Sequence, residues 1–260
     1  MRIDFHRHLL KRENEVEGLF LFMEKFHIDK TVLLPLPSSL EFLGYSLGDN
    51  KEILKVVKAY PDKFIGAIYI DPREKNTVDR IKFYLDEGFR LIKLFPPVGY
   101  FPDSTEFFPV FEFIAKERIP VISHTGYTNI TIRGYRKATH SRYSEIINFD
   151  VLVRMFPEIP FIFAHCGDPD FNLALLMCDA NENVYLNPVG GEEGWDARII
   201  KFWEEGGKVF PFRFDKLLWG SDNLPLEGGL KEWENFFIRN GAGEYLPQFF
   251  GGLAERILSL

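Results

Sequence analysis

The chain alternates short apolar runs with amphipathic stretches from one end to the other. Eight runs are bounded by turn residues and are continuously apolar, which is typical of parallel strands covered on both faces. The predicted strands cover residues 2–8, 30–36, 64–70, 89–95, 120–124, 160–165, 183–187 and 216–221. Their even spacing leaves room for a helix between most neighbouring strands.

Helical patterns lie between these strands. Residues 52–60, 78–85 and 144–156 carry apolar side chains at helical spacing and are followed by a proline or a glycine. Eight strand–helix units in 260 residues match the size and rhythm of a (β/α)8 (TIM) barrel. A doubly wound open sheet is the competing architecture, but the Gly-x-Gly-x-x-Gly turn after the first strand is absent. We therefore predict an α/β fold, a distorted TIM barrel that forms a single domain over residues 1–260.

Composition and charge narrow the classes of partner. The chain is 46% hydrophobic and 27% charged, and no linker-like segment divides it. Its net charge of −7 and pI near 5.5 argue against a nucleic-acid surface, which requires a basic footprint. No apolar stretch approaches the ~20 residues that span a bilayer, and the N-terminus lacks a signal-peptide pattern. We expect a cytoplasmic protein that binds neither nucleic acid nor membrane.

The ends of the predicted strands carry the candidate chemistry, because catalytic groups of barrels lie at the C-terminal ends of strands. Side chains suited to metal binding or acid–base chemistry lie there: His6 and His8 (first strand), Lys93 (fourth), His124 (fifth), His165 (sixth) and Asp222 (eighth). In a strand, His6 and His8 project to the same side, close enough to share a metal ion. A lone histidine after a strand is usually a core or loop residue, and Asp222 alone is typical of a helix N-cap. The convergence of the whole set on one barrel mouth favours a metal centre.

This ordered set of motifs resembles the amidohydrolase superfamily. Residues 88–94, 124–126, 164–167 and 220–222 are similar to an amidohydrolase-related group that includes aminocarboxymuconate-semialdehyde decarboxylase and pyrone-dicarboxylate lactonase. The resemblance spans nearly the whole chain and rests on the order of the motifs. TatD-type nucleases share the His-x-His start, but they carry a glutamate at the position of Lys93.

The resemblance implies a mononuclear site with His6, His8, His124 and Asp222 as metal ligands. It also implies that His165 acts as general acid/base, with Asp222 as a second proton-transfer group. Neutral imidazoles and one carboxylate suit Zn²⁺ best, with another divalent transition metal as substitute. We expect one ion per chain. In the alternative arrangement, His165 binds a second metal that a carboxylated Lys93 bridges.

Two further interpretations of Lys93 stay open, a salt bridge to Asp4 or contact with a substrate carboxylate. The connection after the fifth strand is basic, and loops that follow barrel strands line the active site. We therefore predict that Arg136, His140 and Arg142, together with Lys93, bind a small anionic substrate. A solvated surface run is the alternative for the loop.

The ligand set favours a hydrolase that opens an ester, lactone or amide bond with a metal-activated water. A metal-dependent non-oxidative decarboxylase would use the same ligands and is the alternative. A catalytically silent binding barrel is disfavoured, because no position of the constellation has lost its ligand.

The C-terminal region is crowded with aromatic residues. They are Trp233, Phe236, Phe237, Tyr245, Phe249 and Phe250. More rings are present than one helix face needs for its core contact, which predicts a homodimer. The alternative is that the rings cap the bottom of the barrel.

Overall fold

A parallel sheet in chain order forms the centre of the fold. The structure, a computed structural model, describes residues 1–37, 39–42, 44–132, 139–190, 194–205, 212–223 and 229–260. Seven parallel strands of this part are hydrogen-bonded in sequence. They are β1 (Ile3–Arg7), β2 (Lys30–Leu33), β3 (Phe64–Tyr69), β4 (Leu91–Leu94), β5 (Val121–His124), β6 (Phe161–Ala164) and β7 (Val184–Asn187). Each lies inside a strand that the apolar runs predict.

The predicted eighth strand is instead an irregular closing segment, residues 217–222. The Leu218 N–H donates to the Leu186 carbonyl of β7 at 2.9 Å, and the Asp222 N–H donates to the His6 carbonyl of β1 at 2.8 Å. The segment therefore joins the two edges of the sheet and completes a TIM barrel. The prediction of a regular strand here is wrong.

Close backbone contact accounts for this irregularity. A Cβ atom on Gly220 would lie only 2.7 Å from the Cβ of His6, so the closing segment crosses β1 closer than a side chain allows. Two residues later, Asp222 adopts a left-handed backbone with φ of 46°. A regular parallel register cannot continue through such a turn.

Helices surround the barrel. They are α1 (Glu15–Lys25), α2 (Asn50–Ala59), α3 (Thr77–Asp86), α4 (Phe108–Lys116), α5 (Asp150–Met155), α6 (Phe171–Ala180), α7 (Trp195–Glu205), α8 (Gly229–Arg239) and α9 (Leu253–Leu258). The helices predicted over 52–60 and 78–85 are confirmed as α2 and α3. The helix predicted over 144–156 is wrong in its first part, because Glu145 is extended (ψ 133°) and 3-10 turns precede α5. No helix in the described part of the chain is both long and apolar enough to cross a membrane.

The barrel interior is polar near the C-terminal ends of the strands and apolar toward their N-terminal ends. Alternate strand residues build the inner cluster: Val32, Leu34, Ile65, Ala67, Leu91, Ile122, Ile162 and Ala164. Leu253 and Leu258 of α9 pack against this cluster. Lys93 and His124 each lie two residues beyond an inner-cluster residue, so the same alternation directs them into the barrel near its C-terminal end.

A small antiparallel sheet lies beside the mouth of the barrel. Its strands are Leu40–Phe42, Tyr45–Ser46 and Thr131–Ile132. Apolar residues, among them Leu36 and Ile130, form a separate cluster with Leu40 of this sheet. The sheet thereby links the loops that follow β2 and β5, and the apolar pattern of the sequence did not predict it.

The C-terminal aromatic residues pack inside this chain. Trp233, Phe236, Phe237, Phe249 and Phe250 are buried, and Tyr245 packs against the same core. Apart from the half-buried Tyr245, they supply no exposed aromatic surface for a second subunit. The homodimer therefore stays a prediction, and the crowding of aromatic residues no longer supports it.

Candidate metal centre

A cavity of about 200 Å³ opens at the C-terminal ends of the barrel strands. His8, Lys93, His124, His165 and Asp222 line it, as the strand-end positions predict. His6 is fully buried directly behind this wall. The structure therefore brings together all six polar residues at the predicted strand ends.

Hydrogen bonds fix the orientation of the first two histidines. The Nδ1–H of His6 donates to Asn187 Oδ1 at 2.8 Å, and the Nδ1–H of His8 donates to the Leu34 carbonyl at 2.8 Å. Their Nε2 atoms lie 3.5 Å and 3.7 Å from Asp222 Oδ1. The Nε2 of His6 is buried and has no hydrogen-bond partner among the residues that the structure describes. Both imidazoles thus turn a lone pair toward Asp222.

The other two histidines lie next to each other, with ring centroids 4.6 Å apart. His165 begins a left-handed turn after β6 (φ 65°), and its Nδ1–H donates to the Val189 carbonyl at 2.7 Å. The Nε2–H of His124 donates to the Tyr127 carbonyl at 3.2 Å. Since a carbonyl only accepts, the lone pairs lie on Nε2 of His165 and on Nδ1 of His124.

Burial keeps these imidazoles neutral. It lowers the pKa of His8 and of His165 to about 3, and the positive charge of Lys93 adds to the effect. The pKa of His6 and of His124 is likewise held well below its usual range, mainly by burial. A neutral imidazole is the form that binds a metal ion.

Asp222 and Lys93 are both buried and interact electrostatically. Burial raises the pKa of the Asp222 carboxyl above its usual range, and the Lys93 ammonium opposes that rise. Burial also lowers the pKa of Lys93, which the Asp222 carboxylate opposes. Each group therefore opposes the pKa shift that burial imposes on the other, and so favours the charged form of its partner in the barrel interior.

Asp4 pairs with Arg7 and Ser221 and forms no ion pair with Lys93, so the structure does not support the interpretation of Lys93 as a salt-bridge partner of Asp4. The Asp4 carboxylate accepts from the Ser221 N–H at 2.8 Å and from the Ser221 hydroxyl at 2.6 Å. Arg7 donates to the same hydroxyl at 2.9 Å. This buried network holds the residue before Asp222 and so positions the carboxylate at the cavity.

The buried histidines and Asp222 fit a divalent transition metal such as Zn²⁺. His6, His165 and Asp222 each present a ligand atom within 4.8 Å of the others. The Nε2 of His6 is the informative atom: it has no partner within the ranges that the structure describes, and a buried polar atom without a partner is costly unless a ligand completes it. Imidazole nitrogens with one carboxylate are the donors that zinc prefers.

The structure places only some of the predicted substrate-binding residues at the cavity. Lys93 lines the cavity, whereas His140 and Arg142 do not. His140 Nδ1 instead accepts from the Arg142 backbone N–H at 3.3 Å, and the Arg142 guanidinium lies 5.3 Å from the centre of the Phe101 ring. Arg136 lies outside the described residues.

Several residues of the site escaped the sequence analysis, Asn187, Trp195 and Arg198 among them. Asn187 orients His6, and Trp195 and Arg198 line the cavity. Asn187 ends a predicted strand, so the strand-end rule could have identified it. Nothing in the amphipathic pattern of α7 indicates that its first turn opens onto the cavity.

A family comparison identifies the class of protein. A family model described as Amidohydrolase matches residues 3–260. The chain therefore belongs to the amidohydrolase family, whose members are enzymes that typically depend on a metal. No curated protein matches the chain by sequence.

Solved structures share the fold at low sequence identity. An uncharacterized TIM-barrel protein from Bordetella bronchiseptica has a TM-score of 0.72 at 22% identity, over 99% of this chain and 98% of that chain. A probable 2-pyrone-4,6-dicarboxylic acid hydrolase from Acinetobacter baumannii, with citric acid bound, has a TM-score of 0.68 at 14% identity, over 100% and 99%. An amidohydrolase from Burkholderia multivorans with bound zinc has a TM-score of 0.70 at 12% identity, over 100% and 99%. These likenesses support the TIM-barrel assignment.

Proposed function

We propose that this protein is a metal-dependent hydrolase of a small, carboxylate-bearing ester, lactone or amide. The observation that carries the proposal is the cluster of neutral, hydrogen-bonded histidines around Asp222, in which the His6 Nε2 has no partner among the described residues. The cavity of about 200 Å³ at this cluster suits a small molecule. In our proposal His6, His8, His124 and Asp222 hold one Zn²⁺ or similar ion, and His165, whose ligand-capable atom lies within 4.8 Å of those of His6 and Asp222, stays outside the ligand set as the proton-transfer group.

A divalent ion bound there supplies Lewis-acid chemistry, because it acidifies water and polarises a carbonyl. The residues of the chain handle the protons. Hydrolysis adds a water oxygen to the carbonyl carbon, breaks the bond to the leaving group and moves one water proton onto that group. Asp222 and His165 both line the cavity and both bear a basic atom, so we assign this transfer to them.

The charges of the cavity support an anionic substrate. Among the described residues that line it, Lys93 and Arg198 are cationic, Asp168 and Asp222 are anionic, and the histidines are neutral. Two positive and two negative charges cancel, so a divalent cation leaves the site positive. One of the solved structures is named as a probable 2-pyrone-4,6-dicarboxylic acid hydrolase, and the substrate in that name is an anion, which agrees with this charge.

The test is a reaction screen on zinc-loaded protein with carboxylated lactones, aryl esters and amides. Product analysis follows hydrolysis and carbon dioxide release in the same samples. We expect hydrolysis that Asp222→Asn abolishes and that a chelator removes reversibly. Carbon dioxide release without hydrolysis would establish the decarboxylase instead, and no turnover of any carboxylated compound would overturn the proposal.

His165→Asn separates the two assigned roles. If His165 transfers protons and binds no metal, the variant keeps its metal and loses roughly 10²- to 10⁴-fold in activity. Elemental analysis and turnover are measured on the same sample. Metal loss in the variant would instead make His165 a ligand.

A further inference from the structure

The first turn of α7 presents an aromatic ring and a cation to the cavity. Trp195 and Arg198 lie three residues apart and so share one helix face. Both line the cavity, and the Arg198 guanidinium lies 4.3 Å from the centre of the Trp195 ring. This ring is nearly perpendicular to the His165 ring, with ring centroids 6.3 Å apart. The cation is therefore next to the metal centre but outside its ligand set.

The backbone is shaped around Trp195. A Cβ atom on Gly190 would lie 2.2 Å from Cδ2 of the indole, so glycine makes room for the ring. The indole Nε1 is buried and has no hydrogen-bond partner in the described part of the chain. The tightly held indole therefore forms a fixed aromatic wall of the cavity.

Arg198 forms an ion pair with a neighbouring carboxylate, but this pair uses only part of its hydrogen-bonding capacity. Its Nη2 donates to Asp168 Oδ2 at 3.1 Å, and its side chain remains 52% exposed. A guanidinium has five N–H donors, and an exposed ion pair contributes little to stability. The remaining donors are available to a ligand while stacking on Trp195 fixes the plane of the group.

We propose that Arg198, stacked on Trp195, binds a carboxylate of the substrate at the cavity mouth and determines specificity for acids over neutral analogues. This inference rests on the proposed function for its reaction but not for its ligand chemistry. A planar guanidinium matches a carboxylate through paired hydrogen bonds. Each carboxylate group carries a single negative charge, so the Asp168 carboxylate beside the guanidinium repels it less than it repels a phosphate dianion, which favours carboxylate as the ligand.

Calorimetry with glutarate on metal-free protein tests this subsite without catalysis. Wild type is compared with Arg198→Gln, with Arg198→Lys and with a matched control, Arg239→Gln. Arg239 is also an exposed arginine in an ion pair, with Glu204, at a side-chain exposure of 53%. Dimethyl glutarate serves as the neutral probe and inorganic phosphate as the competing anion. Thermal unfolding of each variant shows that the fold is retained.

We expect Arg198→Gln to weaken glutarate binding roughly 10- to 100-fold, Arg198→Lys to weaken it less, and Arg239→Gln to leave it unchanged. Dimethyl glutarate should bind wild type and Arg198→Gln alike. Absent glutarate binding, or equal binding in wild type and Arg198→Gln, overturns the inference. Tighter Arg198-dependent binding of phosphate overturns its carboxylate assignment. Arg198-dependent glutarate binding in a protein that hydrolyses nothing would support the subsite and overturn only the hydrolase.

Discussion

At the scale of single residues, the site depends on side chains that never touch a ligand. Asn187 is fully buried, accepts from His6 Nδ1 at 2.8 Å and donates to the Leu218 carbonyl at 2.8 Å. It therefore fixes which nitrogen of His6 carries the proton and joins β1 to the closing segment. Asn223 acts similarly on the backbone of His8, through hydrogen bonds of 2.7 Å and 2.8 Å.

Replacing Asn187 tests this orienting role. Asn187→Ala frees the His6 ring, so we expect zinc affinity to fall roughly 10- to 100-fold, as is usual for partners of metal-ligating histidines. Competition with a chromogenic chelator measures the affinity. Asn181→Ala is the control, since Asn181 caps its own helix through the Met177 carbonyl, away from the cavity. Equal affinity in wild type and Asn187→Ala would show that Asn187 does not orient His6.

At the scale of elements, the closing segment (residues 217–222) contributes to both the metal centre and the closure of the barrel. It supplies Asp222 and, through Ser221, the contact to Asp4. It also completes the barrel with hydrogen bonds to both sheet edges. Fold and site therefore depend on the same few residues, and a change in the backbone of this segment should affect both.

Gly220→Ala tests the close approach of this segment to β1. The added methyl group meets the Cβ of His6 at 2.7 Å, so we expect a loss of roughly 1–3 kcal/mol in unfolding free energy, together with weaker metal binding. Urea unfolding and metal titration measure the two effects. Gly243→Ala is the control, because its added Cβ would meet its nearest neighbour, Ile238 Cγ1, at an ordinary 3.8 Å. Equal losses in the two variants would contradict the account.

The features that could be predicted from the sequence are those that depend on a single physical rule. Continuous apolar runs mark buried parallel strands, and strand ends mark the mouth of a barrel, so β1 to β7 and the strand-end residues His124 and His165 could be predicted. The irregular closing segment could not be predicted, since its shape comes from contact with His6, which is distant in sequence. Arg198 was missed because helix amphipathicity shows which face is buried, but not which turn opens onto a cavity.

At the scale of the whole molecule, stability should depend on pH through the buried histidines. The pKa of His165 falls from 6.5 to about 3 on folding, so between these values the unfolded chain binds more protons. Acidification through this window therefore favours unfolding, whereas above pH 6.5 the contribution is constant. Buried Asp222, whose pKa is raised, has the opposite sign, so a difference between variants isolates the histidine.

His165→Asn removes this one titration. In metal-free protein, we expect wild type to lose stability relative to the variant as pH falls from 6.5 toward 4, by up to ~1.4 kcal/mol per pH unit. Urea unfolding at several pH values gives the difference in unfolding free energy. A pH-independent difference would mean that His165 is not buried in its neutral form.

The central claim is that the strand-end residues of this barrel form a metal centre. Elemental analysis of protein purified under metal-replete conditions tests it most directly, with circular dichroism to check the fold. The account predicts about one zinc-type ion per chain, absent from a folded His6→Ala, His8→Ala double variant, because four protein ligands define one site. Two ions per chain would overturn only the mononuclear arrangement. Wild-type protein without transition metal, or a double variant with undiminished metal, would contradict the claim itself.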